Sequence, residues 1–185
     1  MRGINHVGLA LAATATYSNL SYSNLYHPAL SIMDWGVVII GSLLPDIDNV
    51  GTVARPSNFL PKFTPRALTA PLDWLGTHLS KTVRFIFGHR GMIHYPALGV
   101  GLIALGMWLK WSWLVALGAG YLLHLAGDII TIEGVPLLGP LTTKKISLLP
   151  LRVGSFTEGL VGWLCWLVAI GLILSPFLPF IAKTY

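Results

Sequence analysis

Paired histidines and aspartates are the residues of this sequence whose types and spacing point to chemistry. Asp46 and Asp48 follow a proline at a spacing of two, so their carboxylates can converge on one cation. His124 and Asp128 are four residues apart, a spacing that places both on one face of a helix. Both pairs predict metal ligands. The alternatives are a solvated helix end for the first pair and a structural hydrogen bond for the second.

A third cluster lies at residues 89–94, where two histidines flank an arginine. His89 and His94 are five residues apart and do not share a helical face, but a loop that carries the first would let both point inward. Imidazole nitrogens suit zinc and related ions. Arg90 could bind a phosphate or carboxylate group through two hydrogen bonds. The cluster is predicted to supply ligands and a substrate contact; the alternative is an interfacial loop with incidental histidines.

Three single residues extend the set of candidates. His6, near the start of the chain, is either a ligand or a polar filler. Glu133 is either a general base or a solvated side chain. Glu158 begins an apolar segment, where a helix dipole favours an acidic residue, so it is either a cap or a ligand. The remaining histidines and acids are predicted to lie outside the site: His27, Asp34, Asp73 and His78.

The composition indicates a membrane protein. Of the 185 residues, 54% are hydrophobic and only 10% are charged, whereas soluble domains are about 25% charged. The single cysteine, Cys165, excludes an internal disulfide and a cysteine-based zinc cluster. The sequence pI is about 9.6, but the basic residues are scattered between apolar segments, which is typical of a topology signal. No nucleic-acid partner is therefore expected.

Five apolar segments could cross or enter a bilayer, which requires about 20 mostly apolar residues. The first is interpreted as a retained helix and not as a cleaved signal peptide. A sixth segment, 72–87, repeats leucines at helical spacing and is predicted to lie in the membrane interface. The fold class is therefore an all-α polytopic membrane bundle of about five membrane helices plus an interfacial amphipathic helix, in one domain, 1–185. The five segments are approximately 4–20, 30–44, 93–109, 113–130 and 160–182.

Five crossings would place both long connections, 49–88 and 131–157, on the same side as the N-terminus. That side holds ten of the 12 lysines and arginines, which makes it cytoplasmic by the positive-inside rule. The same side collects the candidate ligands His6, Asp46, Asp48, His89, His94, His124, Asp128 and Glu158. Mixed imidazole and carboxylate ligands predict Zn²⁺ first, with Mn²⁺ or Fe²⁺ as alternatives. The set exceeds the four ligands of a tetrahedral zinc, so one or two ions are expected.

At these residues the sequence resembles the YdjM-like bacterial inner-membrane proteins, which are described as membrane-bound metal-dependent hydrolases. The matching stretches follow one another through most of the chain: 44–48, 89–94, 120–128, 131–140 and 150–158. Tyr95 departs from the pattern, which has serine or threonine after the second histidine. The resemblance implies a bacterial inner-membrane location.

The family is in turn remotely similar to helical zinc-dependent phospholipases C. That similarity implies a zinc-binding helix pair at His124 and Asp128 and an upstream ligand at Asp46 or Asp48. A further ligand would be His89 or His94, and His6 would be the N-terminal ligand. The His-x-x-x-Glu pair of those enzymes is absent, so Glu158 stands alone and the number of ions stays open.

The leading functional hypothesis is a metal-dependent phosphoesterase that acts on a membrane lipid at the cytoplasmic face. Asp48 or Glu133 would be the general base, and Arg90 would hold the negative charge of the substrate. The alternative is a non-catalytic membrane protein that binds, senses or transports a divalent cation. A third option is a bundle in which the polar residues are purely structural. The substrate and the oligomeric state do not follow from the sequence.

Overall fold

The computed structural model describes residues 1–22, 30–48, 64–87, 92–139 and 141–175, and this part of the chain is all-helical. The predicted all-α fold class is thus confirmed. Short 3-10 helices occupy Leu44–Asp48 and Met92–His94. Two isolated β-bridges lie in the connection before the last helix. The α-helices are α1 (Gly3–Tyr22), α2 (Ile32–Leu43), α3 (Arg66–Phe87), α4 (Pro96–Leu109), α5 (Ser112–Ile129) and α6 (Phe156–Leu174).

Helix α5 lies at the centre of the bundle and packs against α1, α2 and α4, while α6 packs on α1. The contact between α2 and α5 depends on glycine. A Cβ atom on Gly41 would lie 2.3 Å from the carbonyl oxygen of Leu117, and one on Gly120 would lie 2.2 Å from that of Val38. Small residues of this kind let membrane helices bring their backbones together. The close approach sets α2, and the 3-10 helix that follows it, directly against α5.

Two helices begin at serine caps. The Ser31 side chain accepts a hydrogen bond from the backbone N–H of Asp34, and the Asp34 carboxylate accepts one from the backbone N–H of Ser31. This capping box satisfies N–H groups that the first turn of α2 would otherwise leave free. Ser155 caps α6 through its side chain alone, which accepts a hydrogen bond from the backbone N–H of Glu158. Asp34 is thus a capping residue, in keeping with its predicted place outside the site.

Helices α5 and α6 are long and apolar enough to cross a membrane, by length and composition. Helix α4 is apolar but has 14 residues, and α2 has 12, which span only about 18 Å. Among the described residues the predicted five crossings are therefore not confirmed. Helix α2 ends at Leu43, within one residue of the predicted end, and the chain continues through Pro45 as a 3-10 helix. The single-domain assignment stays a prediction.

Helix α3 contains the predicted amphipathic segment and starts earlier, at Arg66, with Pro71 inside its second turn. It packs against the 3-10 helix Leu44–Asp48. Thr69 and Ser80 are buried on the side that faces the protein. The helix therefore lies beside the element that carries Asp46.

Candidate metal centre

Five of the predicted ligands come together in the structure from four separate elements. His6 lies on α1, Asp46 on the first 3-10 helix and His94 on the second, while His124 and Asp128 share one face of α5. All five side chains are buried, with exposed fractions of 0–6%. Buried imidazole and carboxylate groups in such numbers need partners or a cation, because unpaired polar groups are costly away from water.

Asp128 lies in the middle of the cluster. Its Oδ1 is 3.3 Å from His6 Nε2, and its Oδ2 is 3.4 Å from His124 Nε2 and 3.8 Å from His94 Nε2. Asp46 Oδ1 is 3.9 Å from His124 Nε2. Bonds of about 2.0–2.1 Å in a tetrahedral site separate neighbouring ligand atoms by roughly 3.4 Å. The donor atoms are therefore spaced as ligands of one ion would be.

Two overlapping groups of three offer ligand atoms that all lie within 4.8 Å of one another. One group is His6, Asp46 and His124, and the other is His94, His124 and Asp128. His124 belongs to both groups. Because an imidazole nitrogen donates one lone pair, the overlap favours a single ion with ligands drawn from both groups.

The ring of His124 is oriented by the backbone of α2. Its Nδ1 lies 2.7 Å from the carbonyl oxygen of Ser42 and must donate to it, since a carbonyl only accepts. Nε2 consequently carries the lone pair, and it has no hydrogen-bond partner among the described residues. Metal-binding histidines are typically held by such a bond from the second nitrogen. The donor set and the aimed nitrogen therefore fit a divalent ion.

His6 reaches the cluster because α5 has a glycine opposite it. A Cβ atom on Gly127 would lie 2.8 Å from His6 Nδ1, so any larger residue would displace the ring. The ring stacks on His124, with centroids 3.8 Å apart and planes 17° from parallel. Its Nε2 lies 3.1 Å from the carbonyl oxygen of Met1, to which it can only donate, so a metal bond through Nε2 would replace this hydrogen bond. The amino group of Met1 is 2.6 Å from Asp128 Oδ1.

His94 is positioned by a residue that sequence reasoning missed. The hydroxyl of Tyr121 on α5 donates to the backbone carbonyls of Ile93 and Tyr95, on either side of His94. Tyr121 is three residues before His124 and seven before Asp128, so it shares their helical face. This spacing is the feature of the sequence that could have indicated a role for Tyr121 in the site. Tyr95, the departure from the family pattern, packs its ring directly against Gly139.

Glu158 is fully buried but does not belong to either group of candidate ligands. Its carboxylate accepts hydrogen bonds from the backbone N–H of Arg2 at 2.8 Å, the backbone N–H of Gly154 at 2.9 Å and the side-chain amide of Asn5. The Arg2 guanidinium adds an ion pair at 3.3 Å. These contacts tie the start of α1 to the start of α6. The geometry favours the capping and anchoring role over the ligand role.

Of the remaining predicted residues, only Glu133 has a described side chain, and it belongs to neither group. Glu133 is exposed in the connection after α5. Asp48 ends the 3-10 helix Leu44–Asp48, and its side chain is outside the described part. His89 and Arg90 lie outside the described residues. Their roles as base, ligand and substrate contact stay predictions.

Comparison with known proteins now decides the family. The family model described as "YdjM inner membrane protein" matches residues 1–182, which include all five clustered ligands. The chain belongs to the YdjM family. The predicted resemblance is therefore confirmed, and the protein is a membrane protein.

Two relatives carry the name "Inner membrane protein YdjM", one from Escherichia coli (strain K12) and one from Shigella flexneri. Each is 34% identical over 125 residues, which is 61% of this chain and 54% of the relative. The chain thus spans about half the length of the curated relatives it matches. No solved structure matches the chain. Neither the family description nor these names mention hydrolysis or zinc, so both stay predictions.

Proposed function

We propose that this YdjM-family protein is a metal-dependent hydrolase that acts on a phosphoester bond of a membrane lipid. The carrying observation is the buried cluster of three imidazoles and two carboxylates, whose donor atoms are spaced as around one ion. Zn²⁺ is the first choice for such a mixed set, with Mn²⁺ or Fe²⁺ as alternatives. When bound, such an ion polarises a phosphoryl oxygen and activates water.

The chain's own residues divide the remaining work. The five clustered ligands would hold the ion: His6, Asp46, His94, His124 and Asp128. Glu133 or Asp48 would accept a proton, and Arg90 would hold the negative charge of the substrate. These three assignments rest on residue type and on their place in the sequence beside the ligands.

A membrane lipid is the proposed substrate because the protein lies in the membrane and has an apolar cleft between its helices. The cleft has a volume of about 470 Å³ and lies between α1, α2 and α5. That volume is within the range of pockets that hold small ligands. Its lining is mainly apolar and includes Ala13, Val38, Ala116 and Leu123. Such a cleft suits an acyl chain.

The proposal places the metal centre on the cytoplasmic side of a multi-pass protein in the bacterial inner membrane. The positive-inside count supports this orientation. The family description supports the inner membrane. The proposed topology keeps five membrane segments, of which α5 and α6 satisfy the length and hydropathy of a crossing.

The test combines metal analysis with lipid turnover on the full chain purified in detergent. Wild type should hold a divalent ion and release phosphate-containing headgroups from phospholipid. Asp128→Asn and His124→Ala should each lower metal affinity by about tenfold or more, because each removes or weakens a central donor. Turnover should fall in parallel.

His78→Ala is the matched control, since His78 is an exposed histidine on α3 outside both ligand groups. It should keep metal content and turnover. Glu133→Gln should keep the metal, and it should lose turnover if Glu133 is the base. Wild type without bound metal after zinc reconstitution, or full turnover in Asp128→Asn, would overturn the proposal.

The burial of the cluster supports a second candidate function. A catalytic metal keeps an open coordination position, whereas His6, His124 and Asp128 are at most 2% exposed. The alternative is a non-catalytic protein that binds, senses or transports a divalent cation. Zinc flux in proteoliposomes without any hydrolysis would favour this alternative, and lipid turnover would exclude it.

A further inference from the structure

Helix α3 turns its leucines away from the rest of the protein. Leu68, Leu72, Leu75 and Leu79 are 49–68% exposed. Their spacing of three and four places them in one stripe along the helix. The side that packs against Leu44–Asp48 instead carries small or polar residues such as Thr69 and Ser80, which are buried. A helix on a soluble protein would face its apolar stripe inward.

The cations of α3 lie opposite the leucine stripe. Arg66, Lys81 and Arg84 are exposed, and successive residues turn by about 100°, which places all three roughly across the helix from the stripe. Asp73 is the single acidic residue among the 22 of α3. The polar face therefore has an excess of positive charge. Exposed Trp74 and Phe85 lie between the two faces, where interfacial aromatics are favoured.

Helix α3 is long enough to cross a bilayer, at about 33 Å, but its charges oppose that orientation. Crossing would place Asp73 and Lys81 inside the hydrocarbon core, where each charged group costs several kcal/mol. A leucine stripe with cations on the opposite face is instead the pattern of a helix that lies in the plane of the interface.

We propose that α3 docks in the plane of an anionic bilayer surface, with its leucine stripe in the acyl boundary and its cations at headgroup phosphates. Charge complementarity decides the occupant: with the stripe in a bilayer the cations reach headgroup phosphates, whereas pairing of two stripes would leave the cations of both copies without counter-charges. Because α3 packs on the 3-10 helix that carries Asp46, docking also holds one wall of the candidate metal centre. The docking itself does not depend on a bound metal.

The test uses the full chain, one copy per nanodisc, with the native cysteine removed by Cys165→Ala. A nitroxide is attached at Leu75→Cys on the stripe or at Thr77→Cys, which lies about 200° around the helix. In discs that contain phosphatidylglycerol, the collision rate of each label with oxygen is divided by its collision rate with a water-soluble nickel chelate. This ratio should be several-fold higher for the label at position 75 than for the label at position 77. Pure phosphatidylcholine should reduce that difference.

The charge contribution is tested by Arg66→Gln, Lys81→Gln and Arg84→Gln together, which should abolish the response to phosphatidylglycerol and leave α3 helical. Equal exposure of both labels to the nickel chelate would overturn docking. Contact between two labelled chains at position 75, seen as spin–spin broadening when two copies share a disc, would assign the stripe to a dimer instead. An unchanged response in the triple variant would overturn the role of anionic lipid.

Discussion

His124 is the single residue on which both groups of candidate ligands depend. Its Nδ1 is engaged by the Ser42 carbonyl, which leaves Nε2 as the only nitrogen able to bind metal. The two groups therefore compete for one lone pair. This shared lone pair limits the number of ions that the centre can bind more strongly than the number of nearby histidines and carboxylates does.

We accordingly predict one divalent ion per chain. Equilibrium dialysis of the detergent-purified protein against Zn²⁺ should saturate at one tight ion, and His124→Ala should remove it. Asp46→Asn should weaken the same ion and should not reveal a second class of sites. Two tight ions per chain would contradict the prediction and would require Asp128 to bridge them.

Glu158 is a buried acidic residue that lies outside both groups of candidate ligands and accepts its own hydrogen bonds. We predict that Glu158→Gln keeps the bound metal but lowers the free energy of unfolding by about 1–3 kcal/mol. The glutamine amide nitrogen cannot accept a hydrogen bond, so either Arg2 or Gly154 would lose the partner of its backbone N–H. Thermal unfolding and metal analysis of the same sample measure both effects.

Glu133→Gln is the control for Glu158→Gln, because Glu133 is exposed. It should change the free energy of unfolding by no more than about 0.5 kcal/mol. If Glu158→Gln instead lost the metal at unchanged stability, the result would favour the ligand role of Glu158.

At the scale of elements, α5 explains why the sequence predicted part of the centre. His124 and Asp128 share a face in any α-helix, so their pairing follows from spacing alone. The hydrogen bonds that position the ligands depend on tertiary packing. The Ser42 carbonyl reaches His124 only because α2 and α5 are in contact. Tyr121 likewise donates to the carbonyl of Ile93, in a segment distant in sequence. Spacing within one helix cannot reveal partners that another helix supplies.

The end of α2 was predicted to within one residue, but the backbone conformation that follows it was not. The predicted segment 30–44 corresponds to α2, Ile32–Leu43, after which the chain tightens into a 3-10 helix through Pro45. Hydropathy does not show this tightening, because it is a change of backbone conformation and not of side-chain polarity. The tightening places Asp46 beside His124, so the 3-10 helix is part of what forms the centre.

The glycine contact between α2 and α5 gives a prediction at this scale. Gly120→Ala should lower the free energy of unfolding by about 1–3 kcal/mol, because the new Cβ atom would lie 2.2 Å from a backbone oxygen of Val38 and the helices must separate. Metal affinity should fall as well, since α2 leads into the helix that carries Asp46. Thermal unfolding in detergent and zinc titration measure the two effects.

Gly101→Ala in α4 is the matched control, because apart from the adjacent backbone of α4 itself no atom lies within 4 Å of a Cβ atom built there. This change should be neutral or stabilise the helix by up to about 1 kcal/mol. Equal destabilisation by both changes would mean that the close approach of α2 and α5 is not what Gly120 provides.

At the scale of the whole molecule, the bundle is asymmetric along the axis of α5. Ligands gather near its C-terminal end at His124 and Asp128, whereas its N-terminal end follows a left-handed turn at Lys110. The connection after α5 carries Lys144, Lys145 and Arg152, whereas the short connection before α5 carries Lys110. The end of α5 that carries the candidate ligands is therefore also the end with more positive charge.

If α5 crosses the membrane, this charge asymmetry predicts that Lys144 faces the cytoplasm and Lys110 faces outside. In a Cys165→Ala background, a membrane-impermeant maleimide should label Lys110→Cys in intact cells and should label Lys144→Cys only after the cells are opened. Labelling of both positions from one side would show that α5 does not cross. The opposite pattern would place the candidate metal centre outside, where a cytoplasmic-leaflet lipid could not be its substrate.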